Sequence, residues 1–285
     1  MTILACIGSG RIGGEVAFLS AKLGLVDEII LHDNYESVLT AQQLDISHSI
    51  DIPITTDTSK IRDADICVFS AGSARTPDIK TRADLFDINI PVARESMKIL
   101  NGFGGTMIVV TNPMDVFTWY FAKNTGLSQE QVIGFGGLLD SRRFELALKS
   151  IGIEGDARVL GEHGEHQVPI YSRINTEIPI STREKILSDL RGSSMPIIKG
   201  KSGTIFGPAS HICDMINDIF NDTHRLITCS IPPDGAYGID RCSIGLPVRL
   251  GKDKYIIEDN WTLDTWEQTK LQEASEYIKK MCMNI

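Results

Sequence analysis

The 285-residue sequence lacks the features that mark three common classes of protein. No apolar run approaches about 18 residues, so we expect no membrane-spanning helix. Lys and Arg number 28 against 37 Asp and Glu, for a formal net charge of -9, and no basic block occurs. We therefore expect no binding to nucleic acid or to an anionic membrane surface. The first residues, MTILACIGSG, contain no basic segment, so no signal peptide is expected.

The cysteines lack the spacing of a metal site or of a redox centre. No two of them form a Cys-x-x-Cys pair. The six are Cys6, Cys67, Cys213, Cys229, Cys242 and Cys282. Cys6 and Cys67 lie inside apolar runs, where a reduced thiol packs as a small hydrophobic group. Reduced cysteines are typical of the cytoplasm, so we expect a cytoplasmic protein.

The first half of the chain alternates short apolar runs with helical patterns. Predicted strands span residues 2–7, 28–32, 66–70 and 107–110. Predicted helices span residues 10–23, 38–49, 84–100 and 115–123. Uninterrupted apolar strands between helices indicate βαβ units and a parallel sheet covered on both faces. The predicted class is therefore α/β, with a doubly wound domain over residues 1–140.

The second half is less regular and predicts an α+β domain over residues 141–285. Predicted helices span 141–150, 206–225 and 263–283. Predicted strands span 157–160 and 242–250, and residues 192–203 have the composition of a loop. With two domains, the chain is long enough to hold a cleft between them.

A glycine-rich turn follows the first predicted strand and opens the first predicted helix. Its residues are Gly8, Ser9, Gly10, Arg11, Ile12 and Gly13, which fit the pattern G-x-G-x-x-G. The first glycine permits the turn, the second admits a pyrophosphate, and the third allows close packing of helix on strand. The free N–H groups and the dipole at the helix start favour phosphate. This context predicts a dinucleotide site in a Rossmann-type domain.

Asp33 supplies the second half of that signature. It ends the second predicted strand, 20 residues after Gly13. A carboxylate at this position can accept hydrogen bonds from ribose hydroxyls and would repel a 2′-phosphate, which favours NAD over NADP. Taken alone, Asp33 could equally be a residue that starts a turn.

Three further motifs follow the glycine turn in order. They are Thr-Asn-Pro-Met-Asp at 111–115, Leu-Asp-Ser-Arg-Arg-Phe at 139–144 and Gly-Glu-His-Gly-Glu-His-Gln-Val-Pro at 161–169. Together they resemble the lactate/malate dehydrogenase family over nearly the whole chain. Residues 201–209 and 237–250 are most similar to its archaeal-type malate dehydrogenases.

The resemblance implies a catalytic acid–base pair. Reduction of a 2-keto acid needs a general acid close to the carbonyl, and histidine suits this role near neutral pH. His163 matches the family's catalytic position, and Asp140 matches the carboxylate that orients it. Arg143 resembles the arginine that grips the substrate carboxylate, because a guanidinium fork fits a carboxylate.

The resemblance also assigns roles to two further arginines and to two asparagines. Arg82 resembles the arginine that polarises the carbonyl, and Arg75 matches the specificity position, where an arginine pairs with a second carboxylate. Lactate enzymes usually carry glutamine there. Asn112 resembles the contact to nicotinamide and substrate, and Asn89 a contact on the cofactor side.

The resemblance implies an NAD-dependent malate dehydrogenase that acts on a dicarboxylate and assembles as a homodimer or homotetramer. Arg75 and Arg82 stand seven positions apart, one more than in the family pattern, so lactate or another 2-hydroxy acid remains an alternative. Two other classes are a catalytically silent NAD-binding protein and a metal-dependent hydrolase using His163 and His166. The spacing of these histidines does not match a metalloprotease helix, so no metal is expected.

Overall fold

The structure is a computed structural model that describes residues 1–76, 78–79, 81, 83–252, 254–283 and 285. The strands are β1 (Ile3–Ile7), β2 (Glu28–His32), β3 (Ile54–Thr55), β4 (Ile66–Phe69), β5 (Thr106–Val109), β6 (Val132–Gly134), β7 (Val159–Gly161), β8 (Gln167–Pro169), β9 (Arg225–Ile231), β10 (Ile244–Leu250) and β11 (Tyr255–Ile257). The helices are α1 (Arg11–Lys22), α2 (Glu36–Ser47), α3 (Phe86–Ile99), α4 (Met114–Asn124), α5 (Gly137–Ser150), α6 (Ile180–Gly192), α7 (Met195–Lys201), α8 (Phe206–Phe220) and α9 (Thr265–Cys282).

The strands form one sheet in the order β3-β2-β1-β4-β5-β6-β9-β10-β7-β8, with β11 paired to β10. The first six in this order are all parallel. The order 3-2-1-4-5-6 is that of the dinucleotide-binding Rossmann fold. The predicted α/β class with an N-terminal Rossmann domain is therefore confirmed.

The central parallel strands β1 and β4 are apolar throughout because both of their faces are buried. In β1, Leu4 and Cys6 join the core on one face of the sheet, whereas Ala5 and Ile7 join the core on the other. All four side chains are at most 1% exposed. Burying one large aliphatic side chain stabilises the fold by about 1.5–3 kcal/mol, so each strand contributes on both sides.

The sheet continues without a break into the second half of the chain. β6 pairs antiparallel with β9 through Gly134 and Ser230. β9 and β10 then pair antiparallel along their full length, and β10 meets β7 through Gly245 and Gly161. Strands from both halves therefore belong to one sheet.

Two predictions in the second half were wrong. The helix predicted over 206–225 ends at Phe220, and the next strand begins at Arg225. Asp222 and His224 have φ angles of 50° and 51°, a left-handed conformation that a helix cannot include. The segment predicted as a loop over 192–203 contains α7, which has a proline in its first turn.

Two further predictions concern the state of the cysteines and membrane-spanning helices. All six cysteines are buried and none forms a disulfide. In the part of the chain that the structure describes, no helix is both long and apolar enough to cross a bilayer.

Candidate active site

A pocket of about 180 Å³ opens at the carboxyl ends of the parallel strands. Residues from both halves of the chain line it, including Ile12, Gly72, Arg75, Asn112, Arg143, His163 and Thr204. The structure thus brings together four of the predicted catalytic and substrate-binding residues: Arg75, Asn112, Arg143 and His163. Arg82 lies outside the described residues. Ligands of open α/β sheets bind at this end of the strands.

Two glycines of the turn are required by close packing. Gly8 has a φ of 92°, and a side chain there would collide with the backbone of Ala71. A side chain on Gly13 would collide with the carbonyl of Gly8, so α1 packs directly on the turn. The hydroxyl of Ser70 donates a hydrogen bond to the same carbonyl at 2.8 Å. The turn is therefore held in one conformation.

The space in front of the turn is open. A Cβ atom on Gly10 would meet no described atom within 4 Å. Gly10 precedes α1, and no described side chain caps the N–H groups of the first turn. Arg11 in that turn donates from Nη1 to the carbonyl of Lys201 at 3.0 Å. These donors and this space fit a pyrophosphate group.

Asp33 lies beside the turn, at the end of β2. Its Oδ2 accepts the N–H of Ser9 at 2.9 Å, and its Oδ1 accepts the N–H of Tyr35 at 3.0 Å. A carboxylate has about four lone-pair sites, so it can still accept ribose hydroxyls. The backbone contacts fix its orientation next to Gly10.

The two asparagines have different surroundings. Asn112 lines the pocket, and among the described residues its buried Oδ1 has no hydrogen-bond partner. Asn89 is 1% exposed, and its amide binds Ser73 N–H at 2.7 Å and the carbonyl of Asn112 at 2.8 Å. Asn112 is thus available to a ligand, while Asn89 holds the backbone on which the pocket is built.

Asp140 binds both His163 and Arg143. Its Oδ2 lies 2.5 Å from His163 Nδ1, and its Oδ1 accepts from Arg143 Nη1 at 3.0 Å. Asp140 is 1% exposed, so these contacts are shielded from water. A buried carboxylate paired in this way fixes the ring orientation and stabilises the cationic imidazole.

The start of α5 explains this arrangement. The helix begins at Gly137, four residues before the predicted start at 141, so Asp140 lies in its first turn. Arg143 follows three residues later on the same face. Gly136, just before the helix, packs against the ring: a Cβ there would lie 2.6 Å from His163 Cγ. No role for Gly136 was predicted from the sequence.

The three arginines Arg75, Arg142 and Arg143 have distinct environments. Arg75 is half-buried, lines the pocket, and donates from Nε to the carbonyl of Ile79 at 3.0 Å. Arg142 is exposed and pairs with Glu145 at 2.6 Å. Arg143, not Arg142, therefore faces the pocket.

Asp115 is a functional candidate that the sequence analysis missed. It is 2% exposed, and its Oδ2 accepts the backbone N–H of His163 at 2.8 Å. Burial, followed by the charge of Glu162, raises the pKa of its carboxyl group to about 7. Its place in the Thr-Asn-Pro-Met-Asp motif, three residues after Asn112, was the available signal.

The histidines do not form a metal cluster in the described part of the chain. No group of three His, Cys, Asp or Glu side chains there is placed to hold an ion. His166 instead stacks on Tyr277, with ring centroids 4.1 Å apart.

Comparisons with known proteins agree with this geometry. Residues 2–134 match the family model of the lactate/malate dehydrogenase NAD binding domain, and residues 138–284 match that of the alpha/beta C-terminal domain. The chain is 32% identical to malate dehydrogenase of Halobacterium salinarum, over 98% of this chain and 97% of that protein. It is 30% identical to L-lactate dehydrogenase of Geobacillus thermodenitrificans, over 97% and 95%.

A solved structure shows the same architecture. Malate dehydrogenase from Archaeoglobus fulgidus in complex with NADH superposes with a TM-score of 0.89 at 30% identity, covering 99% of each chain. Because both family models match in order along almost the whole sequence, the chain belongs to the lactate/malate dehydrogenase family and binds NAD through its N-terminal domain.

Proposed function

We propose that this protein catalyses the reversible transfer of hydride between malate and NAD, giving oxaloacetate and NADH. The observation that carries the proposal is that Arg75 and Arg143 line the same pocket as His163. Two guanidinium groups suit a substrate with two carboxylates. The net charge of -9 repels a dianion at long range, so placed arginines must supply the local attraction.

His163 is the proposed proton donor and acceptor. Bound NADH supplies the hydride for reduction of the keto group. The imidazole donates a proton to the C2 oxygen as negative charge develops there, and accepts it in the oxidation direction. Asp140 holds Nδ1 at 2.5 Å, which orients the ring and stabilises the imidazolium, so the proposed proton transfer uses the other ring nitrogen.

The arginines orient and polarise the substrate. Arg143 is aimed by its bond to Asp140, so its remaining donors can grip the carboxylate next to C2. Arg75 binds the distal carboxylate. Arg82 is assigned the polarisation of the carbonyl from its motif alone, because it lies outside the described residues.

The cofactor contacts follow the geometry of the turn. Backbone N–H groups from Gly10 to Gly13, with Arg11 and Ile12 between them, face the phosphates, and Asp33 accepts the ribose hydroxyls. Asn112 Oδ1 can accept a hydrogen bond from the carboxamide of the nicotinamide or from the substrate hydroxyl. Asn89 contributes to the cofactor side indirectly, because its amide binds the backbone of Ser73 and of Asn112.

The test measures loss of NADH absorbance with oxaloacetate and pyruvate side by side. We expect oxaloacetate to be preferred, and the preference to fall at least about a hundredfold in Arg75→Gln, the effect of losing one buried ion pair. Arg142→Gln is the matched control, because Arg142 is exposed and pairs with Glu145. An unchanged oxaloacetate-to-pyruvate ratio in Arg75→Gln would remove Arg75 from the substrate site.

The alternative substrate is lactate or another 2-hydroxy acid, and pyruvate preference in the unmodified protein would favour it. Family membership supports a homodimer or homotetramer, which light scattering tests. The buried, unpaired cysteines support a cytoplasmic location. The acidic charge supports the absence of nucleic-acid and membrane partners.

A further inference from the structure

His163 is held by two buried carboxylates, one at its ring and one at its backbone. Asp140 binds the ring nitrogen Nδ1, whereas Asp115 Oδ2 accepts the backbone N–H at 2.8 Å. Asp115 lies in the first turn of α4, and Asp140 in the first turn of α5. The proposed function uses the first contact and leaves the second unexplained.

The surroundings of Asp115 make an ionised carboxylate costly there. Asp115 is 2% exposed and shares a cavity of about 10 Å³ with Asp140, Glu162 and Ser230. Within the described residues, neither Asp115 Oδ1 nor the hydroxyl of Ser230 has a hydrogen-bond partner of standard geometry, although the hydroxyl is near enough to lower the pKa of the carboxyl group. The cavity is too small for a substrate, so it is not a second binding site.

Several charged or titratable groups face Asp115 from the elements around it. They are Glu162 and His163 after β7, Asp140 on α5, and the thiols of Cys242 and of Cys282 on α9. Glu162 is 5% exposed and directs Oε2 to the N–H of His166 at 2.8 Å. Two acids therefore surround Asp115, and two donors oppose their effect on its pKa: the hydroxyl of Ser230 and the backbone N–H of His163.

We propose that Asp115 is a positioning residue for His163, fixing its backbone and adding a buried negative charge next to that residue. The proposal rests on the assignment of His163 as the proton donor in keto-acid reduction.

The two effects act on different properties of the reaction. The hydrogen bond sets where the ring lies, and a small displacement of a proton donor lowers the rate of the chemical step. The charge favours the imidazolium, so it keeps His163 protonated to higher pH. Because the pKa of Asp115 is about 7, the carboxyl group is partly ionised at neutral pH and supplies part of this charge.

Two substitutions separate these effects. Asp115→Asn keeps an oxygen that can accept the His163 N–H but removes the charge, whereas Asp115→Ala removes both. Asp218→Asn is the matched control: Asp218 is also 2% exposed, and it binds Thr223 and Arg225 instead of His163. Each variant is assayed for kcat and KM with oxaloacetate between pH 5 and pH 9, and for NADH binding by fluorescence.

We expect the alkaline limb of the kcat profile to move to lower pH in both Asp115 variants. We expect kcat to fall at least about tenfold in Asp115→Ala and less than about threefold in Asp115→Asn, with NADH affinity unchanged in both. Asp218→Asn should leave the profile in place. An unmoved limb in Asp115→Asn, or an equal movement in Asp218→Asn, overturns the proposal, and this holds even if Asp115→Ala does not fold.

A measurement without substrate separates this proposal from the proposed function. Ring-labelled histidine gives six resonances, and a His163→Gln variant identifies the one from His163. The midpoint of its titration should move to lower pH in Asp115→Asn. If the unmodified protein reduces no keto acid, the proposed function fails, and the ring titration alone then decides the role of Asp115.

Discussion

The imidazole of His163 packs directly on Gly136, with 2.6 Å between its Cγ and the place where a Cβ atom would stand on residue 136. Both residues are held by secondary structure: Gly136 immediately precedes α5, and Asp115 on α4 binds the backbone of His163. A side chain on residue 136 would therefore push the ring away from Asp140.

Replacing Gly136 by alanine should displace the ring. We expect kcat to fall about a hundredfold, because the proton donor no longer meets the keto oxygen, while the dissociation constant for NADH stays unchanged. Stopped-flow reduction and NADH fluorescence measure the two quantities. Gly192→Ala is the control, since a Cβ there meets no described atom within 4 Å. Wild-type turnover in Gly136→Ala would show that the ring does not need this contact.

Asp140→Asn should impair both partners of Asp140. The amide cannot stabilise the imidazolium or anchor Arg143 as a carboxylate does, so we expect kcat to fall at least about a hundredfold and KM for oxaloacetate to rise. Steady-state kinetics at several pH values measure both. Asp214→Asn provides a matched Asp–His pair away from the pocket, where His211 Nδ1 lies 3.3 Å from Asp214. A fall in kcat without a rise in KM would mean that Arg143 does not depend on Asp140.

Arg11→Met should weaken cofactor binding. The side chain joins the glycine turn to the last residue of α7, beside Ser202, which lines the pocket. Loss of this bond and of a cation near the phosphates should raise the dissociation constant for NADH about three- to tenfold, as expected for an exposed group. Titration calorimetry measures it. Lys201→Met is the control, because Arg11 binds the backbone carbonyl and not the Lys201 side chain. Equal weakening in both variants would contradict the assignment.

Asp115→Asn should change how stability depends on pH. A carboxyl group whose pKa rises from 3.8 to about 7 on folding binds its proton more tightly in the folded state. The stabilisation that this tighter proton binding adds to the free energy of unfolding is therefore present at low pH. It is lost as the pH rises from about 4 to about 7, by an amount on the order of 4 kcal/mol.

The asparagine cannot ionise. The free energy of unfolding of the variant should therefore increase relative to that of the wild type as the pH rises through this range. Urea denaturation at pH 5, 6, 7 and 8 measures the difference, with Asp218→Asn as the control. A difference that does not change with pH would mean that Asp115 is ionised at all of these values.

Four of the six parallel strands, β1, β2, β4 and β5, were predictable because their central residues are buried on both faces. The other two, β3 and β6, were not predicted, since they span only two and three residues. The apolar run at 28–32 coincides with β2. The strands β1 and β4 differ from their predictions by one residue at one end, and β5 differs by one residue at each end. Gly8 directly follows the first of these runs and Asp33 the second, which marks the ends of those two strands. Burial alone therefore specified these elements.

The end of α8 was not predictable from local pattern. No glycine or proline lies between Pro208 and Arg225, so the strongest stop signals are missing from the sequence. The helix ends where buried Asp218 accepts hydrogen bonds from Thr223 and Arg225 at 2.7 Å, as the chain turns into β9.

The site was predictable where its residues lie in motifs and not where their role depends on a distant partner. The pocket contains Arg75, Asn112, Arg143 and His163, as the motifs indicated. Asp115 lies 48 residues from the N–H that it binds, and the role of Gly136 depends on a ring 27 positions away. Such relationships arise from the sheet and not from local sequence.

The unbroken sheet has one more consequence. Neighbouring strands in a sheet lie about 4.8 Å apart. The hydrogen-bonded strands between β1 and β7 therefore determine the distance from the glycine turn after β1 to His163 after β7. The lengths of the surface connections do not enter that distance. These connections can therefore differ in length while the glycine turn and His163 keep their spacing.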